Sequence, residues 1–561
     1  MNSSIQQINN RLIWVLLLVG PAATLAVTPF SSYDPINLIK ILIIATVAFY
    51  AAGLVISKIK FYVFKLTKYF WFFSGMFVAS TFLTFFMSGA PKNQQFWGSF
   101  GRGTGILTYF SLLLILIATA VIQLPVFYSK LINIMILTSI PVTSYALVQI
   151  AKLDPINWSL KDIFATLGNS NFLSAFLGIV SVAAFVMLFN SAISKSYKPF
   201  LALLVLINIG IILTSGSIQG FLVFVAGIGF SGFFIIRNKF KSLGVQLSYL
   251  MLAIAGSLLS FLGLFDKGPF ARIIFQPSVV YRSDYMHAGL KMTLLRPFYG
   301  VGMDSYGDWY REVRGSISTL RTGPDRTANT AHNIFLDISS NGGIPLIFAY
   351  FAILMIAIFS AARFIRKSKN FDPYFTAIFS CWVAYQVQAS ISINQVGVGI
   401  WGWILTGALI GYPKCFDIIE KTPKVRNSLY KNKGKNTFPA SASLISFATL
   451  CLGFVLAYLP FKADLDFKAA LQSRSLDKMM KSVNEPASNA FLISQVIQAS
   501  IEGNYPDQAR TMNLKLIREY PKDFYGWRIL YYSLNSSESE KKLALAKLHE
   551  LDPFNPTLPS R

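Results

Sequence analysis

The sequence predicts an all-α protein that crosses a membrane about twelve to thirteen times and ends in a small helical-repeat domain. Three observations lead there. First, the 561 residues are 54% hydrophobic and only 13% charged, whereas a soluble chain carries about a quarter charged residues. Second, apolar runs recur, each close to the roughly 20 residues that cross about 30 Å of hydrocarbon. Third, basic residues gather in every second loop between those runs, the charge pattern of a polytopic protein.

The predicted spans, in order, are 12–30, 36–57, 69–88, 105–124, 131–150, 170–190, 199–214, 217–236, 246–265, 333–361, 374–393, 396–412 and 441–460. The first follows Arg11 and has the look of a signal peptide, but the further spans make it an uncleaved first helix. Lys58/Lys60/Lys65/Lys68, Lys130, Lys195/Lys198, Arg237/Lys239/Lys241, Arg363/Arg366/Lys367/Lys369 and the run from Lys414 to Lys435 fall in alternate loops. Lysine and arginine are retained on the cytoplasmic side of short loops. This puts the N-terminus in the cytoplasm and, after an odd number of crossings of the cytoplasmic (inner) membrane, the C-terminal domain outside, periplasmic or extracellular. A net charge of +25 is thereby explained without nucleic acid. The chain divides into a membrane domain, 1–460, with an external loop at 266–331, and an extracytoplasmic tail, 461–561.

In the tail, three corners break helices: Glu485-Pro486-Ala487-Ser488-Asn489, Tyr520-Pro521-Lys522-Asp523-Phe524 and Asp552-Pro553-Phe554-Asn555-Pro556. Their prolines are 35 and 32 residues apart, near the 34-residue tetratricopeptide period. A tetratricopeptide-like tail would offer a protein partner a concave surface.

Metal chemistry has little to draw on. There are three histidines, His287, His332 and His549, and none has ligand spacing with cysteine or carboxylate. Cys381, Cys415 and Cys451 suit neither a zinc site nor a disulfide framework. No metal and no nucleotide cofactor is expected. Gly300-Val301-Gly302 and Gly101-Arg102-Gly103 follow no predicted strand, so they are poor phosphate loops.

The informative stretch contains Arg282, then Arg296-Pro297-Phe298-Tyr299-Gly300-Val301-Gly302, His332-Asn333 and Asn341-Gly342-Gly343. Together with 96–105 and Leu167-Gly168-Asn169-Ser170-Asn171-Phe172, it resembles the O-antigen ligase and O-antigen polymerase superfamily of membrane glycosyltransferases, in its branch with tetratricopeptide-like tails. The family pattern is an arginine, Pro-x-x-Gly-x-Gly, His-Asn and a glycine ten residues beyond that Asn. Many members also carry an arginine after the Gly-Asn-x-Asn motif that helps hold the donor, where this chain has Gln219.

The resemblance implies transfer of a glycan from a polyprenyl-pyrophosphate-linked donor to an acceptor hydroxyl on the outer face of the membrane. The acceptor could be a lipid core, as for a ligase, another glycan, as for a polymerase, or a protein, as for an O-oligosaccharyltransferase. In this reading His332 is the base for the acceptor hydroxyl and Arg282 clamps the pyrophosphate. Arg102 and Gln219 lie around the donor, and Asn333 orients the base or the helix start. The residue types fit this chemistry. A guanidinium forms short, bidentate bonds to phosphate oxygens, and a neutral imidazole accepts a hydroxyl proton near pH 7. A transporter of a lipid-linked solute is the alternative of another class, but mid-span charges are scarce and no half of the chain repeats, as transporters commonly require. A non-catalytic scaffold for the tail would leave Arg282 and His332 without a role.

Overall fold

A computed structural model describes residues 3–158, 162–368, 370–421 and 438–560. Lys161, Lys369 and the basic stretch beyond Lys421 lie outside the described residues. No strand occurs among those described. The helices before the external loop are α1 (Ser3–Leu25), α2 (Asn37–Ile56), α3 (Ile59–Val63), α4 (Lys68–Met87), α5 (Lys92–Trp97), α6 (Ile106–Ala120), α7 (Pro125–Ile150), α8 (Ser170–Leu188), α9 (Lys198–Thr214), α10 (Ile218–Lys239) and α11 (Leu243–Gly263). The loop holds α12 (Ala271–Ile274), α13 (Pro277–Leu295), α14 (Tyr306–Val313) and α15 (Ser316–Thr322). Beyond it come α16 (Ile334–Lys367), α17 (Pro373–Ile391), α18 (Val396–Lys421) and α19 (Ala440–Gln472). The tail comprises α20 (Leu476–Ser482), α21 (Ala490–Glu502), α22 (Pro506–Glu519), α23 (Phe524–Tyr532) and α24 (Glu538–Leu551).

Ten described helices are long and apolar enough to cross a membrane, against the twelve to thirteen expected. The other three expected spans are helices as well. Two are short, α6 with 15 residues and α9 with 17, and α17 carries Thr376, Ser380, Cys381, Tyr385 and Gln388 among its apolar residues. The chain is a multi-pass, all-α membrane protein. Its lipid-facing belt bears this out: α11 touches only α10 and α12 extensively and exposes Leu250, Met251, Leu252, Ile254, Leu258 and Phe261. An exposed apolar surface of that extent is stable only against lipid or another apolar partner. By contrast α18 is buried along Val396–Cys415 and forms the axis of the bundle, with Trp401 and Trp403 inside. Around it, α2 packs on α6 and α19, α8 on α9, α10 and α17, and α4 on α16.

One charge lies inside this core. Lys40 of α2 is fully buried and donates to the carbonyls of Ala23 and Thr24, both at 2.8 Å. These are orphan carbonyls at the C-terminal end of α1, where the helix dipole favours a cation.

The same end of the bundle collects the α1–α2 loop, the α4–α6 loop, the long external loop and the tail. Asp464 of α19 accepts from the backbone N–H groups of Tyr33 (2.6 Å) and Asp34 (3.1 Å). Asn93 donates to the Pro486 carbonyl at 2.7 Å. The helix α19 runs unbroken from the bundle through Pro460 into the tail. There the helices pack in sequence, α21 on α22 and α23 on α24. Each start is fixed locally: Asn489 caps α21, Pro506 sits in the first turn of α22, Asp523 caps α23, and Ser537 with Glu540 forms a capping box on α24.

The strongest attachment of the tail is a buried ion triad. Asp552, with no exposed surface, accepts from Arg311 (2.9 Å) and from Arg314 (2.6 and 3.2 Å), and both guanidiniums are buried too. Thus Arg311 and Arg314 of the 266–331 loop hold the tail. Arg321 pairs with Asp284 at 3.0 Å, and Arg296 lies over the Trp309 ring.

Candidate active site

Two loops present the charged residues, and glycine shapes both. In the first, residues 98–105 curl around Asp304, whose carboxylate accepts from the backbone N–H of Ser99 (2.7 Å) and Thr104 (3.0 Å). The curl is tight, since a Cβ on Gly98 (φ +96°) would stand 2.5 Å from the Gly103 Cα. Backbone N–H groups converging in this way form an anion nest, and here the anion is the protein's own carboxylate. Arg102 sits at the tip of the curl and donates to the Asn329 side chain at 2.6 Å.

In the second, Pro297–Gly302 clasps the broken start of α16. Val301 N–H donates to the Ser340 carbonyl (2.9 Å), Gly302 N–H to Asn341 (3.1 Å), and Ile344 N–H to Pro297 (2.7 Å). Gly343 (φ +77°) interrupts α16 at this point, and a Cβ there would meet the Pro297 carbonyl oxygen at 2.7 Å. Pro345 follows in the first turn of the second segment, where a missing N–H costs nothing. The glycines of the motif therefore fix a helix break.

His332 sits at the exposed end of that broken helix. Its own φ is +52°, a left-handed conformation that costs a non-glycine residue of order 1–3 kcal/mol unless the surroundings impose it. They do. Asp337 accepts from the Ala331 N–H at 2.7 Å. Asn333 caps α16 through Phe335 and Leu336 N–H (3.0 and 3.1 Å) and ties it to α17 by donating to the Ser390 carbonyl at 2.9 Å. The His332 ring lies 5.3 Å, centroid to centroid, from Tyr285.

Arg282 stands one helical turn before Tyr285 on α13 and donates to the Ile391 carbonyl, the last of α17, at 3.0 Å. Burial lowers the pKa of the Arg282 and Arg102 guanidiniums, with Asp304 and Asp337 working against it at Arg102. The effect on the imidazole is large. Burial first, then Arg282 and Arg102, push the His332 pKa down to about 3. These three predicted residues are thus brought together around one neutral imidazole. Asn333 adjoins it, with its amide occupied by capping and tethering.

Gln219 is not at this surface. It is buried between α10 and α17, donating to Gln388 and, at 3.5 Å, to the Asn171 carbonyl. Its neighbour in the sequence, Ser217, bonds the Asn171 side chain at 2.8 Å, so the Gly-Asn-x-Asn segment and the α10 start form one polar contact.

Residues 200–351 match the O-antigen ligase family. The matched segment runs from α9 into α16 and carries Arg282, the Pro297–Gly302 clasp, His332 and Gly343. Residues 200–351 thus form a segment of O-antigen ligase type. No curated protein matches it.

For a segment of O-antigen ligase type the arrangement is chemically apt. A neutral base and two cations share one polar surface next to the apolar bundle. Sequence reasoning passed over four residues of this site. Tyr285 was legible as the i+3 neighbour of Arg282 on one helical face. Asn329, Asp304 and Asp337 reach the site through loop closure and a helix break, for which periodicity carries no signal. Among the described residues, no group of three or more His, Cys, Asp or Glu side chains is placed to hold a metal ion.

Proposed function

We propose that this site transfers a glycan from a polyprenyl-pyrophosphate-linked donor to an acceptor hydroxyl on the outer face of the cytoplasmic membrane. The observation that carries the reading is the neutral His332 imidazole flanked by Arg282 and Arg102. The donor's prenyl chain stays in lipid while its pyrophosphate meets the two guanidiniums. An imidazole nitrogen of His332 takes the proton of the acceptor hydroxyl. That oxygen attacks the anomeric carbon, the bond from this carbon to the pyrophosphate oxygen breaks, and its electron pair leaves on the pyrophosphate. Stabilising that developing charge with fixed cations is the largest lever available to such a site. The proton on His332 then passes to the departing pyrophosphate.

The same cations make empty His332 a weak base. Pyrophosphate bound to Arg282 and Arg102 cancels their charge and raises the basicity of the ring. The base is therefore switched on by the donor. In this reading Asn333 positions the helix start beside the donor, Gln219 ties α10 to α17 away from it, and the face carrying the external loop and the tail is extracytoplasmic, with the N-terminus on the other side. A ligase fits the family name, while a polymerase or protein O-oligosaccharyltransferase would use the same step with another acceptor.

The test is a host lacking its own envelope ligase that expresses wild type, His332→Ala or Arg282→Ala. Wild type should consume the lipid-linked glycan, and both variants, inserted at wild-type level, should accumulate it at least 100-fold more slowly converted. Variants as active as wild type would remove these residues from the mechanism.

A further inference from the structure

Between the bundle and the tail lies a cavity of about 590 Å³, within the range of ligand-binding clefts. The membrane domain supplies one wall through Gln94, Phe100, Asp304, Asp308 and Asn329, and the tail supplies the other through Asn489, Phe491, Gln498 and Tyr525. Two features connect it to the site. Asn329 and Asp304 line it and also line the small polar crevice that holds Arg102 and Asp337. Asn329 itself accepts the hydrogen bond from Arg102, so the cavity opens one residue away from a guanidinium that acts on His332.

Its chemistry contrasts with that of the arginine side. The lining has four carboxylates, Asp304, Asp308, Glu502 and Asp523, and no lysine or arginine, in a chain of net charge +25. Such a lining offers an anionic pyrophosphate no cation. Carboxylates and carboxamides together accept and donate to neighbouring hydroxyls. Phe100 and Phe491 line it as well, stacked on each other with centroids 4.2 Å apart and planes 10° off parallel, and give the cavity an apolar side. Hydroxyl-rich ligands with an apolar ring face match such a lining.

We propose that this cavity is the acceptor site and that the acceptor is a glycan without negative charge where it is held. The inference rests on the transfer reading and specifies its acceptor. The tail then serves as half of a substrate site, and the Arg311–Asp552–Arg314 triad keeps that half in place.

The test uses the full chain in its own cells, with the His332→Ala background to keep the acceptor unreacted. A photo-reactive benzoylphenylalanine replaces Gln498, whose amide otherwise meets only the exposed Glu502 at 2.9 Å, and, as a control, Leu534, which is 96% exposed outside the cavity. After irradiation, carbohydrate attached at position 498 and absent at 534 is the expected result. A protein adduct at 498, or no carbohydrate adduct, overturns the inference. In parallel, Gln498→Ala should raise KM for the acceptor about tenfold and leave KM for the lipid-linked donor unchanged. If Gln498→Ala leaves both constants unchanged while wild type transfers glycan, the cavity proposal falls and the transfer reading stands. If position 498 captures sugar while wild type turns over no donor, the cavity binds glycan without being an acceptor site, and the transfer reading and the acceptor assignment fall together.

Discussion

Replacing Asp552 by Ala should loosen the tail from the external loop by an amount that can be estimated from the triad. The carboxylate is fully buried, and so, nearly, are its two partners, Arg311 and Arg314. Removing it leaves two guanidiniums in the interior without a counter-charge. Breaking a buried pair on one side costs about 3–5 kcal/mol, and every 1.4 kcal/mol is a factor of ten, so separation of the tail should become easier by roughly two to three and a half decades. Other contacts remain, including Arg528 with Asp325 at 2.9 Å and Lys522 with Glu312, so the chain should still insert. The assay is amide hydrogen exchange on the protein in nanodiscs, read over α23 and α24. Protection there should fall by about two decades or more, while α18 should not change. Removing the charges as well, in Asp552→Leu with Arg311→Met and Arg314→Met, should recover most of the loss, since apolar replacements of a buried ion cluster are often neutral. Unchanged protection in Asp552→Ala would refute the view that this triad holds the tail.

Three further outcomes can be checked. The His332 ring should stay neutral down to about pH 3, whereas a free histidine protonates near 6.5. Its contribution to stability is therefore complete above pH 6.5 and is lost as the pH falls toward 3. With three histidines in the chain, NMR of selectively labelled protein can read this directly, and Arg282→Gln should move the His332 pKa upward. Gly343→Ala forces a Cβ to within 2.7 Å of the Pro297 oxygen at φ +77°. With ψ at −179° this conformation is essentially reserved for glycine and costs an L-residue about 1–3 kcal/mol, so transfer should fall at least tenfold, measured beside membrane insertion. Gln219→Leu leaves the buried Gln388 amide without its partner, at about 1–3 kcal/mol, and should lower the melting temperature while leaving donor KM within twofold. A large rise in donor KM would instead put Gln219 in the donor site.

The sequence was read successfully wherever one element carries the signal. Apolar length located the spans, because the thickness of the hydrocarbon layer imposes it. Helix-breaking corners marked the tail, where Asn489, Asp523 and Ser537 cap the helices that follow them. The count of spans came out less sharply, since α6 and α9 fall short of 18 residues while packing in the same bundle. At the site, Arg282, Arg102 and His332 were legible as residue types in a pattern. That they converge was not, because it depends on the break at Gly343 and on Asp304 gathering the 98–105 curl from 200 residues away. The triad was equally hidden. Arg311 and Arg314 lie 241 and 238 residues before Asp552, a separation across which the sequence carries no pairing signal.

The most direct measurement is a single turnover with purified protein in nanodiscs, loaded with a radiolabelled polyprenyl-pyrophosphate glycan and given acceptor. Wild type should release polyprenyl pyrophosphate in step with labelled product, His332→Ala should retain the donor bound but unreacted, and Arg282→Ala should lose donor binding as well as turnover. Release at the wild-type rate by either variant would contradict the assignment of base and clamp on which the account rests.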